Sequence, residues 1–271
     1  MSNNNLESLH KLELSVLKQI NDFFDENNLI YFAIGGTFLG AVRHKGFIPW
    51  DDDIDIAMPR ESYNRLIKLS KDTDIFDEAS VVNFHNQENA RTYFTQIVVK
   101  DDYLVKYGLK ENRIEGLALV DILPIDGYPD NHLMQTIYKF RIYVNKALAA
   151  LSNSDKREIN KVDSFRTLIY SIAKKLKIYK MFNRKKYYQK LDKIYSLNLN
   201  KETKLSGTVT GAYMFKELVE SSFWKTREKY KFEDTFIYGG KDFDKYLTHI
   251  YGQYMILPPE EQRKSIHEVI E

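Results

Sequence analysis

Asp51, Asp52, Asp53 and Asp55 place four carboxylates within five residues of the stretch AIGGTFLGAVRHKGFIPWDDDIDIAMP, Ala33 to Pro59. The β-branched and apolar run from Ile54 to Met58 predicts an extended segment whose side chains alternate between faces. If that alternation extends back to Asp51, then Asp51, Asp53 and Asp55 share one face. Successive same-face carboxylates lie roughly 6.6 Å apart. Each adjacent pair then repels by about 2.5 kcal/mol at an effective dielectric of about 20. A divalent cation would relieve that repulsion.

The run is not an EF-hand, which needs Gly at its sixth position and Glu at its twelfth. Counted from Asp51 those positions hold Ile56 and Ser62, and from Asp53 they hold Met58 and Asn64. Hard oxygen ligands beside a phosphate site favour Mg²⁺ or Mn²⁺. Gly35 and Gly36 supply such a site in outline, because glycines let a ligand approach the backbone and a helix opening near Thr37 favours anions at its N-terminus. Arg43, His44 and Lys45 follow closely enough to neutralise a diphosphate. Asp121 interrupts the otherwise apolar strand LALVDIL, where an unpaired carboxylate is costly. A salt bridge, a hydrogen-bond network or membership of the metal cluster would satisfy it, whereas Asp126, before Gly127, reads as a structural turn residue.

These residues need elements to hold them. Leu6 to Asn27 carries an apolar stripe at helical spacing, NNLIYFAIGG reads as a short strand ending at the glycines, and Thr37 to His44 suits a short helix. GFIPW is a turn, and Pro59 is expected to begin another helix. YFTQIVVKDDYLV predicts one or two strands and GLALVDILPIDGYPD another, while Asn131 to Asn198 is helical and increasingly basic. In the tail, FEDTFIYGG is strand-like and KDFDKYLTHIYGQYM helix-like, with Arg263 and His267 one turn apart beyond it. The expectation is one α+β domain, 1–271. Residues 28–130 would form its core, 131–200 a basic helical insertion and 201–271 a C-terminal part completing the site.

Composition narrows the class. At 271 residues with 43 % hydrophobic and 14 % aromatic content the chain can bury a large core, and with no cysteine it has neither disulfides nor cysteine-ligated metals. No apolar run of membrane-spanning length and no leader pattern stands out, so a cytoplasmic location is expected. The net charge of +2 conceals an excess of ten positive charges over Lys156 to Lys193, where thirteen Lys/Arg face three Asp/Glu. That block reads either as a solvated helix surface or as a docking surface for anionic lipid or phosphate.

Three blocks, GGTFLGAVRHKGFIPWDDDIDIAMPRESY, VDILPIDGYP and YLTHIYGQYMILPPEEQRKSIH, resemble in order those of the LicD family of phosphotransferases, whose eukaryotic relatives include fukutin-related protein. The resemblance spans roughly residues 28 to 267. It implies a nucleotidyltransferase-like mixed sheet flanked by helices. It also implies that Gly35, Gly36 and Thr37 form the phosphate turn, that Asp53 and Asp55 are the Asp-x-Asp metal pair and that Asp121 is the third carboxylate. Tyr251, Gly252, Pro258, Pro259, Arg263 and His267 match positions of the tail block. The cysteine-based zinc site of fukutin-related protein is absent, so no structural zinc is carried over.

The activity so implied takes a CDP-activated alcohol, foremost CDP-choline, and transfers the phospho-alcohol to a hydroxyl of a cell-surface glycan precursor of teichoic acid, lipopolysaccharide or capsule type, releasing CMP. Asp121 or Asp51 would accept the hydroxyl proton. Trp50, Tyr251 and Tyr254 are the candidate aromatic partners of a quaternary ammonium. The partners expected are the donor, a lipid-linked glycan acceptor and an anionic membrane surface met by 156–193, with no nucleic acid. CDP-ribitol or CDP-glycerol is the alternative donor class. A sugar-nucleotide glycosyltransferase shares the Asp-x-Asp site without predicting the Gly-Gly-Thr helix, and a non-catalytic binding module would have lost a carboxylate.

Overall fold

The computed structural model describes residues 3–71, 75–77, 79–87, 90, 92–109, 117–152, 175, 177, 181–199 and 201–264. The expected α+β class is observed. Strands β1 (Phe32–Ala33), β2 (Ile54–Pro59), β3 (Ala79–Val82), β4 (Thr95–Val99) and β5 (Ala118–Gly127) form a sheet in the order β1-β2-β5-β4-β3. Only β2 and β5 run parallel among these pairs. Short strands β6 (Leu205–Gly207) and β7 (Val219–Glu220) extend the far end of β5, and β8 (Arg227–Phe232) with β9 (Thr235–Gly240) makes a separate hairpin.

Helix α1 (Asn3–Glu26) follows from its apolar spacing, since Leu9, Leu12, Val16, Leu17, Ile20 and Phe24 fall on one side at helical spacing and are all buried. Asn21 ties α1 to the hairpin by donating Nδ2–H to the Phe236 carbonyl at 2.8 Å. His10 reaches the loop before β2, with its Nε2 2.7 Å from the Asp51 carbonyl oxygen. The buried positions of β2 and β5 are filled by Ile54, Ile56, Ala57, Met58, Leu119, Val120, Ile122 and Leu123, the core beneath the acidic face.

Helix α2 (Gly35–Arg43) begins two residues before the expected Thr37. Helix α3 is Arg60–Leu69, so Pro59 is the last strand residue and the residue before the helix rather than its first turn. The stretch read as strand continues only to Val99, because Asp101–Lys106 is a short helix, α4, and the Ala79–Val82 strand lies before it. Helices α5 (His132–Leu151) and α6 (Arg184–Tyr195) are the described parts of the basic insertion and pack on each other. The tail helix α7 spans Phe243–Tyr251 and ends at Gly252, whose φ of 69° suits glycine. Among the described residues no helix is long and apolar enough to cross a membrane.

Candidate active site

The start of β2 is clamped to the start of α2. Ile34 N–H donates to the Asp55 carbonyl at 3.1 Å, and Asp55 N–H donates to Thr37 Oγ1 at 2.8 Å. Both backbone groups of Asp55 are thereby fixed against the Gly-Gly turn, so Thr37 serves as an acceptor that orients a carboxylate. Gly35 adopts φ of 56°, the left-handed region that favours glycine, and a β-carbon there would stand 3.1 Å from Asp55 Oδ2. At Gly36 a β-carbon would collide with the Asp51 carboxylate. The glycines therefore let Asp51 and Asp55 lie against the positive end of α2, which favours negative charge. The Gly-Gly turn thus faces the Asp51 and Asp55 carboxylates.

Asp55 and Asp121 are register partners on the parallel ladder, so their side chains leave the same face side by side. Gln96, opposite Asp121 on β4, donates Nε2–H to Asp121 Oδ1 at 2.8 Å and completes a row across three strands. Burial raises the Asp55 carboxyl well above the usual range, and the charges of Asp53, Asp121, Asp51 and Glu217 push it the same way. Asp51, Asp52 and Asp53 each present an oxygen within 4.8 Å of the others. These hard oxygen donors, together with an Asp55 carboxyl that its neighbours disfavour as an anion, fit a divalent cation, whose charge would reverse that penalty.

Asp52 escaped sequence reasoning because strict strand alternation puts it on the opposite face. The strand begins only at Ile54, so residues 51–53 are not held to a period of two. Glu217 was also missed. It is buried and accepts a hydrogen bond from the Tyr246 hydroxyl at 3.2 Å, and that hydroxyl in turn accepts one from Gly35 N–H at 3.4 Å. Tyr251, five residues beyond Tyr246 at the end of α7, brings its hydroxyl within 3.8 Å of the position a Gly35 β-carbon would take. Burial raises the Tyr251 phenol far above its usual value, with Tyr213, Glu217, Asp55 and Asp51 adding to the effect, so it stays a neutral donor.

The basic candidates at the end of α2 have partners of their own. Arg43 donates Nη1–H to the Tyr254 carbonyl at 2.6 Å and faces the His44 ring, and Lys45 donates to the Val42 carbonyl at 3.0 Å. Burial and then the Arg43 charge lower the His44 pKa, which disfavours its charged form. Trp50 meets the His44 ring edge-on and carries the Arg263 guanidinium 5.7 Å from its ring centre, so its face is already used by a cation. Tyr254 uses its hydroxyl on Asp244 at 2.7 Å. His267 lies outside the described residues. A separate cleft of about 900 Å³ opens at the far ends of β2 and β5, lined by Arg65, Lys68, Asn198, Lys201 and Lys204 among others, and holds none of the sequence candidates.

Glu13 is the other residue that sequence reasoning passed over, although a charge between Leu9 and Leu17 on the apolar stripe of α1 was the available signal. It is fully buried and neither carboxyl oxygen has a hydrogen-bond partner. Burial raises its pKa well above normal, and Asp53, Asp51 and Asp52 raise it further. The folded state therefore binds this proton more tightly than the unfolded chain does, and its contribution to stability falls as pH rises above the unfolded value. Glu13→Gln is expected to match the parent at pH 4 and to melt higher at pH 8 in EDTA. The expected gain is about 2–4 °C, what roughly 1 kcal/mol does in a chain of this size. Equal melting temperatures at pH 8 would mean that Glu13 finds a partner in solution.

The fold and the site are those of a carboxylate-centred α+β protein, and residues 28–150 match the family described as LicD/FKTN/FKRP, nucleotidyltransferase domain. Beyond that domain, the chain is similar to the lipopolysaccharide cholinephosphotransferase LicD of Haemophilus influenzae (strain ATCC 51907 / DSM 11121 / KW20 / Rd). The two are 27 % identical over 264 residues, covering 94 % of this chain and 92 % of that protein. An uncharacterized protein of Rickettsia prowazekii (strain Madrid E), RP689, is 34 % identical over 109 residues, covering 32 % of this chain and 38 % of that one.

Proposed function

We propose that this chain transfers phosphocholine from CDP-choline to a hydroxyl of a cell-surface glycan precursor and releases CMP. The observation that carries the reading is the side-by-side placement of Asp55 and Asp121 on parallel strands, against the Gly35–Gly36 start of α2. Similarity to a lipopolysaccharide cholinephosphotransferase supplies the choline and the glycan. Asp53, Asp55 and Asp121 would hold Mg²⁺ or Mn²⁺, with Asp51 and Asp52 close enough to share the ion. A bound divalent ion supplies charge neutralisation at the diphosphate and at the attacking and leaving oxygens.

The chain's own groups do the rest. The acceptor oxygen attacks the phosphorus that carries choline, the bond from that phosphorus to the bridging oxygen breaks, and CMP leaves with the bridging oxygen. The acceptor's proton passes to a cluster carboxylate, for which Asp121 and Asp51 are the two candidates. Arg43 keeps guanidinium N–H groups beyond those given to Tyr254 and His44 and can hold the diphosphate. Tyr251 and Tyr213 stand perpendicular with ring centres 6.4 Å apart beside the carboxylates, an aromatic corner suited to a quaternary ammonium that donates no hydrogen bonds.

With Mg²⁺ present, CDP-choline is expected to release CMP faster than CDP-ribitol or CDP-glycerol. Tyr251→Ala is expected to reduce use of CDP-choline by roughly tenfold or more, while Trp50→Ala has the smaller effect on donor preference. Chromatography of CMP gives both rates. A clear preference for a polyol donor would overturn the choline assignment and leave the phosphotransferase reading standing.

A further inference from the structure

Helix α5 is apolar on two opposite sides. Tyr138, Ile142 and Ala149 face the interior and are buried. At 100° per residue, Leu133, Ile137, Phe140 and Val144 fall within an arc of about 60° on the other side, and all four are exposed, Phe140 by 68 % and Leu133 by 65 %. Met134 and Tyr143 widen the band and are also more than half exposed. Single exposed apolar residues are ordinary, but a contiguous stripe along three turns of one helix is the mark of an interaction surface.

The surroundings of the stripe are cationic. No Asp or Glu occurs anywhere in His132–Leu151, and Lys139 and Arg141 are exposed on its flanks. Lys139 lies 5.1 Å from the Phe215 ring centre, which holds its charge at the edge of the band. The neighbouring α6 adds Arg184, Lys185, Lys186, Lys190 and Lys193 against one acid, Asp192, and that acid is already paired with Arg60 at 2.7 Å. Among the described residues, an apolar stripe flanked by Lys139 and Arg141, on a helix pair with an excess of positive charge, is complementary to a surface that is apolar inside and negative at its rim.

We infer that the exposed face of α5 docks on an anionic lipid bilayer, with Leu133, Ile137, Phe140 and Val144 entering the interface and Lys139, Arg141 and the α6 lysines meeting lipid headgroups. Most of the basic block expected to dock, 156–193, lies outside the described residues. The inference rests on α5 and on the described part of that block. It does not depend on which donor the enzyme uses. A lipid-bound acceptor would then be met at the surface where the enzyme sits.

Flotation of the full-length protein with vesicles of equal parts phosphatidylglycerol and phosphatidylcholine, and with phosphatidylcholine alone, tests it without any substrate. Binding is expected to the anionic vesicles, to be weaker to the neutral ones, and to fall with salt. Ile137→Asp and Phe140→Asp, both at exposed positions, are expected to weaken binding by about tenfold or more, with unchanged melting temperature and unchanged CMP release in solution. Absence of binding to anionic vesicles, or undiminished binding by both variants, would overturn the inference. So would a self-associated parent that Phe140→Asp converts to monomer without altering lipid binding, because the stripe would then be a contact between copies.

Discussion

Asp55→Asn is expected to fold as well as the parent and to lose transfer by roughly a thousandfold, the scale on which removal of one transition-state electrostatic partner acts. The fold should survive because the interactions that fix residue 55 are made by its backbone, to Ile34 and to Thr37. Asparagine keeps those and removes one of the charges that Asp53, Asp121 and Asp51 repel. What it loses is an anionic ligand at the centre of the cluster. Calorimetric titration with Mn²⁺ should show correspondingly weaker metal binding, while the thermal melt without metal stays level or rises. Near-normal turnover by Asp55→Asn, above all in EDTA, would contradict a metal role for the cluster.

The largest effect on stability is expected far from that centre, at Arg60. Its guanidinium is 3 % exposed and grips Asp126, itself 2 % exposed, through both carboxylate oxygens, with Nε 2.8 Å from Oδ1. It also donates to Asp192 on α6 at 2.7 Å, and the Tyr93 hydroxyl donates to the same oxygen at 2.6 Å. Burial opposes the guanidinium's charge, and Asp126 with its neighbours more than offsets it. Arg60→Ala leaves Asp126 buried without its cation and unties α6 from the sheet. A loss of about 3–5 kcal/mol is expected, the usual consequence of breaking one side of a buried pair. Urea denaturation measures it. Because the penalty lies mainly in the stranded carboxylate, Arg60→Met with Asp126→Leu should recover much of the loss; a single-variant loss below about 1 kcal/mol would show that water relieves Asp126.

Why one of these residues could be found from sequence and the other could not is a matter of which signal is local. The acidic run, the Gly-Gly pair and the lone carboxylate of LALVDIL each break an otherwise simple pattern, and the break is visible within a few residues. Arg60 and Asp126 meet because Pro59 and Ile125 are register partners at the far ends of two parallel strands. Nothing near either residue announces that pairing, and Arg60 reads as an ordinary exposed residue at a helix start. Glu217 and Tyr246 are brought to Gly35 by chain more than 180 residues away, so their part in the site is likewise a product of tertiary packing. DDYLV misled in the opposite direction. Its β-branched and aromatic residues suggest strand, yet it forms α4, one turn of helix after β4 ends.

Transfer of phosphocholine requires attack at the choline-bearing phosphorus, with a metal at the carboxylate cluster. Hydrolysis of CDP-choline in ¹⁸O-labelled water, with products resolved by mass spectrometry, reads both at once. CMP and phosphocholine are expected in equal amounts, with the label in phosphocholine alone and no reaction in EDTA or with Asp55→Asn. Label in CMP, or the same yield without a divalent ion, would contradict that mechanism.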